Sequence, residues 1–514
     1  MTPVTVLDNS NIVESYPGIT LPLTYSFIRR AYSGVFRGII AECLNNDAFL
    51  TEFSDIFDNM ITSYQGRIYY CINNWYSLIG FMPFSGIITP VWQDMMGVRD
   101  KDIYTGTRFR FTVLQKARLY RNIIKMFRCA PKLMEELERD FEQTREYFDR
   151  TYSEGLAIPE LISLYHEIER RVLDKWYVTL ANDMYAFLWT GALKRGRRGS
   201  KRGHISGAGE LISMKPVTEL MRLAGKYGRQ AEEELLANPE IREYIRLYGD
   251  RRPGELKLET VTYREDPSLL ISRIYEYAHD SAQLGGMIEN LRQRPEARGG
   301  FIARRARLGI QNREISRLNR CRIYGMIRRL FLAVGERLFA DNFIDTPRDI
   351  FYLKIEEIFA PVYDNLRETV AARKLEYGAY EALSPPARLV FQGNELTGPA
   401  HEAEWSGQYT GVGTSMGSVT AEAVVLDQPD EKADVSGKII VTRTTDPGWV
   451  FLLSMAKGIV AEKGSLLSHT AIIAREMKIP AVVAVPNASR LIKSGDIIRI
   501  NGETGLVEIL RKPV

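Results

Sequence analysis

The stretch Gly464-Ser465-Leu466-Leu467-Ser468-His469-Thr470-Ala471-Ile472-Ile473 decides how the C-terminal part of this 514-residue chain is read. Before it, Ile439–Thr442 and Gly458–Glu462 are β-branched and apolar, which predicts two short buried strands. Ser468 is a good helix cap, so a helix is expected from His469 to about Met477, and Pro480 prevents it from continuing. His469 then stands in the first turn of a helix that follows a strand and a glycine-containing loop. The free amides of that turn, with the positive end of the helix dipole, stabilise a dianion. The same positive end resists protonation and keeps the imidazole in its neutral, nucleophilic form. A neutral imidazole so placed can accept a phosphoryl group. None of the other four histidines, His166, His204, His279 and His401, has a comparable setting.

Composition bounds the rest. The chain is long enough for two or three domains, and a net charge of +4 is small for its length, so no polyanionic partner is implied. Its four cysteines are scattered without a C-x-x-C pair, which supports neither a disulfide framework nor a zinc site. Met1-Thr2-Pro3-Val4 does not open a signal peptide, and cytoplasm is the expected location. The apolar region Trp75 to Val98 is interrupted by Pro83, Pro90, glycines, Gln93 and Asp94, so it is not expected to span a membrane. The basic segment Lys194 to Gly203 has glycines and no interleaved aromatics; it reads as a solvated loop rather than a nucleic-acid site.

Most of the chain before residue 393 has helical periodicity. Helices are expected at Leu114–Phe127, Pro131–Tyr152, Ile158–Leu188, Pro267–Arg292 and Ile310–Phe339, two of them opened by proline and one capped by Asp266. Strand signals appear at Arg67–Cys71 and Ile350–Leu353. Residues 394–408 are polar and turn-rich and read as a linker, after which β-branched strands alternate with short helices. The expected architecture is therefore multidomain, a mainly α-helical domain over 1–393 followed by a small α/β domain over 409–514.

Specific motifs now carry a resemblance. Thr444-Thr445-Asp446-Pro447-Gly448-Trp449, then Glu462-Lys463-Gly464 through His469-Thr470-Ala471-Ile472-Ile473-Ala474-Arg475-Glu476, closing with Ile479-Pro480-Ala481-Val482-Val483, resemble the swivelling phosphohistidine domain of phosphoenolpyruvate-utilising enzymes. Ser465 stands where that pattern has a second glycine. The helical part is similar to the acceptor-binding domain of rifampicin phosphotransferases and their relatives. It carries Asn11-Ile12-Val13-Glu14, Pro17-Gly18, Pro22-Leu23-Thr24 and Ser26, and later Asn312-Arg313-Glu314, Arg317, Arg320, Arg322, Gly325 and Arg328-Arg329. The resemblance implies that His469 is the phosphorylated residue, with Gly464, Ser465, Ser468 and Thr470 forming the loop around the phosphoryl group.

Helical geometry gives the arginines weight of their own. At about 100° per residue, positions 313, 317, 320, 324 and 328 fall on a stripe roughly 80° wide, occupied by Arg313, Arg317, Arg320, Tyr324 and Arg328. The residues alone fit either a solvated helix face or a guanidinium clamp on a transferring phosphoryl group. The resemblance favours the clamp, with Arg313 and Arg317 in catalytic roles and Arg320, Tyr324 and Arg328 binding substrate. The aromatic and methionine-rich stretch from Trp75 to Met96 fits core packing, or the lining of an apolar acceptor site.

No P-loop or glycine-rich hairpin accompanies these motifs. The resemblance thus implies a phosphotransferase subunit of dikinase type. ATP and Mg2+ would be bound by a separate ATP-grasp protein, no metal or cofactor would be held tightly by this chain, and the acceptor would be a small-molecule hydroxyl. Similarity to phenylphosphate synthase adds an aromatic hydroxyl as a candidate acceptor. The competing expectation is a non-catalytic or regulatory phosphocarrier whose helical part is an interaction module.

Overall fold

A computed structural model describes residues 4–81, 85–86, 89, 93, 111–195, 215–252, 254–279, 300–360, 362–383, 385–397, 408–426, 433–445, 449–464 and 468–511. The basic loop from 196 to 203, most of the Met82–Val98 stretch and linker residues 398–407 lie outside the described residues.

Two sheets organise the described chain. In the first, β1 (Val4–Asp8) is central to an antiparallel sheet, flanked by β3 (Arg67–Cys71) with β2 (Ile61–Tyr64) beyond it, and by β4 (Arg388–Gln392) with β5 (Glu395–Leu396) beyond that. The Val4↔Gln392 and Asp8↔Arg388 pairings bring the two ends of the helical part together. The Arg67–Cys71 strand is found where the sequence puts it.

The helices between these strands bury one large apolar cluster that includes Phe27, Phe141, Phe148, Ile168, Phe331 and Phe351. Its spine is a 40-residue helix, Phe301–Ala340, whose C-terminal half is buried nearly all round. Beside it runs the Tyr177–Arg195 helix. Gly309 allows the close approach, since a Cβ there would stand 2.8 Å from the Ala186 Cα, and Asn182 Nδ2 donates to the Gly309 carbonyl at 3.1 Å. Small residues at a helix crossing let backbones meet in this way.

Three sequence expectations change. Val113–Thr151 is one helix with Pro131 inside it, not two helices meeting at that proline. A continuous buried stripe from Leu119 through Met134 and Phe141 to Phe148 outweighs the single hydrogen bond that proline removes. The expected Ile158–Leu188 helix divides into Ile158–Arg171, a 3-10 turn at Leu173–Lys175 and Tyr177–Arg195. No glycine or proline marks that break, so periodicity alone reads across it. Ile350–Leu353 is not a strand; Pro347–Tyr352 forms a 3-10 turn that Pro347 starts and a Thr346 Oγ1 to Asp349 hydrogen bond of 2.8 Å closes. The helix expected from Pro267 is described over Ser268–His279, and Asp266 Oδ1 accepts from Ser268 N at 3.1 Å as its cap.

The second sheet has eight strands, in the order β6 (Gln408–Thr410), β13 (Leu506–Arg511), β12 (Ile497–Asn501), β8 (Ser418–Val425), β9 (Ile439–Thr442), β10 (Gly458–Ala461), β11 (Ala481–Val483), β7 (Val412–Ser415). Strands β8 to β11 are mutually parallel. Every residue of β9, β10 and β11 is buried, as expected for parallel strands covered on both faces. The described molecule is thus mainly helical with an α/β portion after residue 408. Trp449, Leu452 and Ile473 of that portion share an apolar cluster with Leu223, Ile241 and Ile274 of the 215–279 helices. Among the described residues no helix is long and apolar enough to cross a membrane.

Candidate functional site

The His469–Met477 helix connects β10 to β11, so its N-terminus emerges at the carboxyl ends of parallel strands, where open α/β sheets form their binding crevices. Gly464 enters the turn with φ of 126°, a conformation that side chains disfavour. Ser468 is buried and caps the helix, its Oγ accepting from Ala471 N at 3.3 Å. His469 is the first helical residue; its side chain, like Ser465, lies outside the described part. Thr470 is buried and shares a 2.7 Å hydrogen bond with the Thr445 hydroxyl, so it ties the helix to the segment after β9. Lys478, in the left-handed region with φ of 58°, ends the helix two residues before Pro480.

Ser468 lines a cavity of about 230 Å³ whose other walls come from the helical part. Arg313, Arg317, Arg320 and Tyr324 line it together, so four of the five stripe positions converge there. Arg328 does not. Its side chain is 1% exposed, donating from Nε to the Leu258 carbonyl at 3.0 Å and from Nη2 to the Glu255 and Lys257 carbonyls at 2.9 Å each. A loop of the helical part occupies the guanidinium, which corrects the expectation that Arg328 meets substrate.

The cavity wall has residues that the sequence reading did not single out. Asp183, on the Tyr177–Arg195 helix one turn from the Gly309 crossing, lies 3.2 Å from Arg313 Nη1. Burial pushes the Asp183 carboxyl above the ordinary aspartate value, while Arg313, Arg320 and Arg317 pull it down. Tyr16, Tyr32, Tyr70, Phe27, Trp75 and Trp176 supply an aromatic lining. The Tyr16 and Tyr324 hydroxyls are 2.6 Å apart, and burial raises both phenols above their ordinary value. Asn11, part of the quoted N-terminal motif, also lines the cavity, but nothing in a single sequence pairs Asp183 with Arg313 across 130 residues.

Three guanidinium groups against one carboxylate make this lining electropositive. Arg320 Nε is buried without a hydrogen-bond acceptor, and among the described residues no carboxylate forms an ion pair with Arg320. Arg317 Nη1 lies 4.0 Å from Glu314, which is buried and does not line the cavity. Three cations share the single Asp183 carboxylate, and an anionic ligand is the chemistry that balances the excess positive charge. The site as built can hold a phosphoryl-bearing group beside an aromatic or apolar molecule of modest size.

Comparison with known proteins agrees with that chemistry. Residues 435–505 match the family model described as PEP-utilising enzyme, mobile domain. The chain is 32% identical over 293 residues to a rifampicin phosphotransferase of Bacillus cereus, a match covering 52% of this chain and 34% of that protein. It is 33% identical over 297 residues to a rifampicin phosphotransferase of Bacillus subtilis, with the same 52% and 34% coverage. A prodigiosin synthesizing transferase of Serratia marcescens is 30% identical over 291 residues, covering 51% of this chain and 32% of that protein. The chain spans about a third of the length of the curated relatives it matches. The resemblance to the phosphoenolpyruvate-utilising enzymes, and to the rifampicin phosphotransferases among them, is thereby borne out.

Proposed function

We propose that this chain relays a phosphoryl group: His469 receives it and passes it to a hydroxyl of a small organic acceptor bound in the cavity of the helical part. The observation that carries this reading is that Ser468, the residue before His469, lines the same cavity as Arg313, Arg317 and Arg320. Phosphoryl transfer is mostly positioning and charge stabilisation, and the cavity offers both. Arg313 and Arg317 are the groups that neutralise the moving phosphoryl, Arg320 and Tyr324 hold the acceptor side, and the aromatic wall favours an apolar or aromatic acceptor. The likeness to rifampicin phosphotransferases supports phosphotransfer to a small molecule.

In this reading the donor is ATP with Mg2+ on a separate ATP-grasp protein, and this chain contributes the histidine and the cavity for the acceptor. The 409–514 domain then carries the histidine between the donor protein and the cavity. Co-purification from the native host, with mass spectrometry of bound partners and of phosphohistidine on this chain, tests the proposal. An ATP-grasp partner and acid-labile phosphate at His469 are expected. Micromolar binding of ATP by the purified chain alone would contradict the split arrangement.

A further inference from the structure

The cavity beside Ser468 contains one carboxylate among its arginines, and phosphoryl relay as described gives that carboxylate no part. Asp183 is held there by the Gly309 crossing, one helical turn away, and by Arg313 at 3.2 Å. A carboxylate in a site that receives a phosphoryl dianion repels it, so it weakens binding unless it contributes to the reaction. Transfer to a hydroxyl has one further requirement besides charge stabilisation: the hydroxyl proton must leave. Among the described lining residues Asp183 is the only carboxylate, and the Tyr16 and Tyr324 hydroxyls are bonded to each other at 2.6 Å.

We infer that Asp183 is the general base for the acceptor, taking the hydroxyl proton as the acceptor oxygen attacks the phosphoryl group on His469. The inference rests on the relay reading above. In the step, the P–O bond forms as the P–N bond breaks. The electron pair of the P–N bond returns to the imidazole, which carries a proton on its other nitrogen and leaves neutral. The acceptor proton passes to the Asp183 carboxylate and then to solvent. Arg313, Arg320 and Arg317 face the carboxylate from the Phe301–Ala340 helix, while Tyr16 and Tyr32 share the cavity from the N-terminal side. Burial holds Asp183 above the ordinary aspartate range against those arginines, so transfer rises with pH as the carboxyl loses its proton, at a pH above that of a free aspartate.

The test uses the full chain, phosphorylated chemically with phosphoramidate, and two acceptor probes, phenol and 4-nitrophenol, at a pH where 4-nitrophenol is already ionised. Asp183→Asn is expected to slow transfer to phenol by about 100-fold or more, the usual contribution of a positioned base. Transfer to 4-nitrophenolate, which has no proton to remove, should change little. Equal slowing with both probes, or no slowing with phenol, overturns the role of Asp183 while leaving the relay in place. A wild-type chain that keeps its phosphoryl group with both probes overturns the relay itself, and the base with it. Should the asparagine chain not fold, the Asp183→Glu chain must still transfer to phenol with the rising limb of its pH profile displaced; an unshifted limb overturns the assignment.

Discussion

Along the Phe301–Ala340 helix, Arg313, Arg317 and Arg320 fall on the same stripe as Arg328, yet the two ends of that stripe have different surroundings. The first three line a cavity, with Arg313 paired to Asp183 at 3.2 Å; an Nε without an acceptor on Arg313 and on Arg320 is matched by Arg328 Nη1, so it is the cavity that sets the two ends apart. Arg328, two turns beyond Arg320, is enclosed by the segment 250–258, which offers it three carbonyls and, at 3.8 Å, Asp250. Helical spacing sets which residues share a face. What that face meets decides whether a guanidinium waits for a ligand or holds the fold.

Substitutions at the two ends should therefore separate stability from transfer. The largest effect is expected at the enclosed end, where Arg328→Met orphans three carbonyls and loosens Asp250; unfolding free energy from urea titration should fall by about 3 kcal/mol or more. A wild-type midpoint would erase the distinction. At the open end, Arg317→Ala should slow single-turnover transfer by about 100-fold, as removal of one charge-stabilising donor usually does, while stability changes by less than about 1 kcal/mol. Joint loss of stability and transfer would make the stripe structural throughout. Transfer at the wild-type rate would make it a solvated face.

Smaller effects sharpen the same contrast. Ser468→Ala removes the helix cap and should cost about 1 kcal/mol, whereas Ser468→Asp should retain the cap's stability. On an open surface, Arg170 and Arg171 hold the Glu167 carboxyl down at about 2, but these ion pairs are screened by solvent. Glu167→Gln should therefore shift stability by no more than about 0.5 kcal/mol. Because the folded value lies below the 4.5 of an ordinary glutamate, that contribution is present above this pH and fades as pH falls toward 2, which urea titrations across the range can follow.

The same contrast explains what the sequence disclosed. The His469 segment is local: strand, glycine turn, Ser468 cap and helix are contiguous, so the His469–Met477 helix and the β9 strand were legible from pattern alone. The cavity beside Ser468 is assembled from Tyr16, Asp183 and Arg313, which are far apart in sequence and meet only through helix packing. The arginine stripe was visible through its spacing, but the enclosure of Arg328 depends on backbone carbonyls of a distant loop, and no side-chain pattern reports those. Pro131 misled for a related reason: a long apolar stripe on the Val113–Thr151 helix overrides a local breaker once it has a core to face.

The relay through His469 remains the central claim, and labelled ATP tests it most directly. The chain, mixed with an ATP-grasp protein co-purified from its native host and with labelled ATP, is expected to acquire acid-labile label that peptide mapping locates at His469. His469→Ala should carry none. Label retained by the alanine chain, or label that survives acid, would contradict the account.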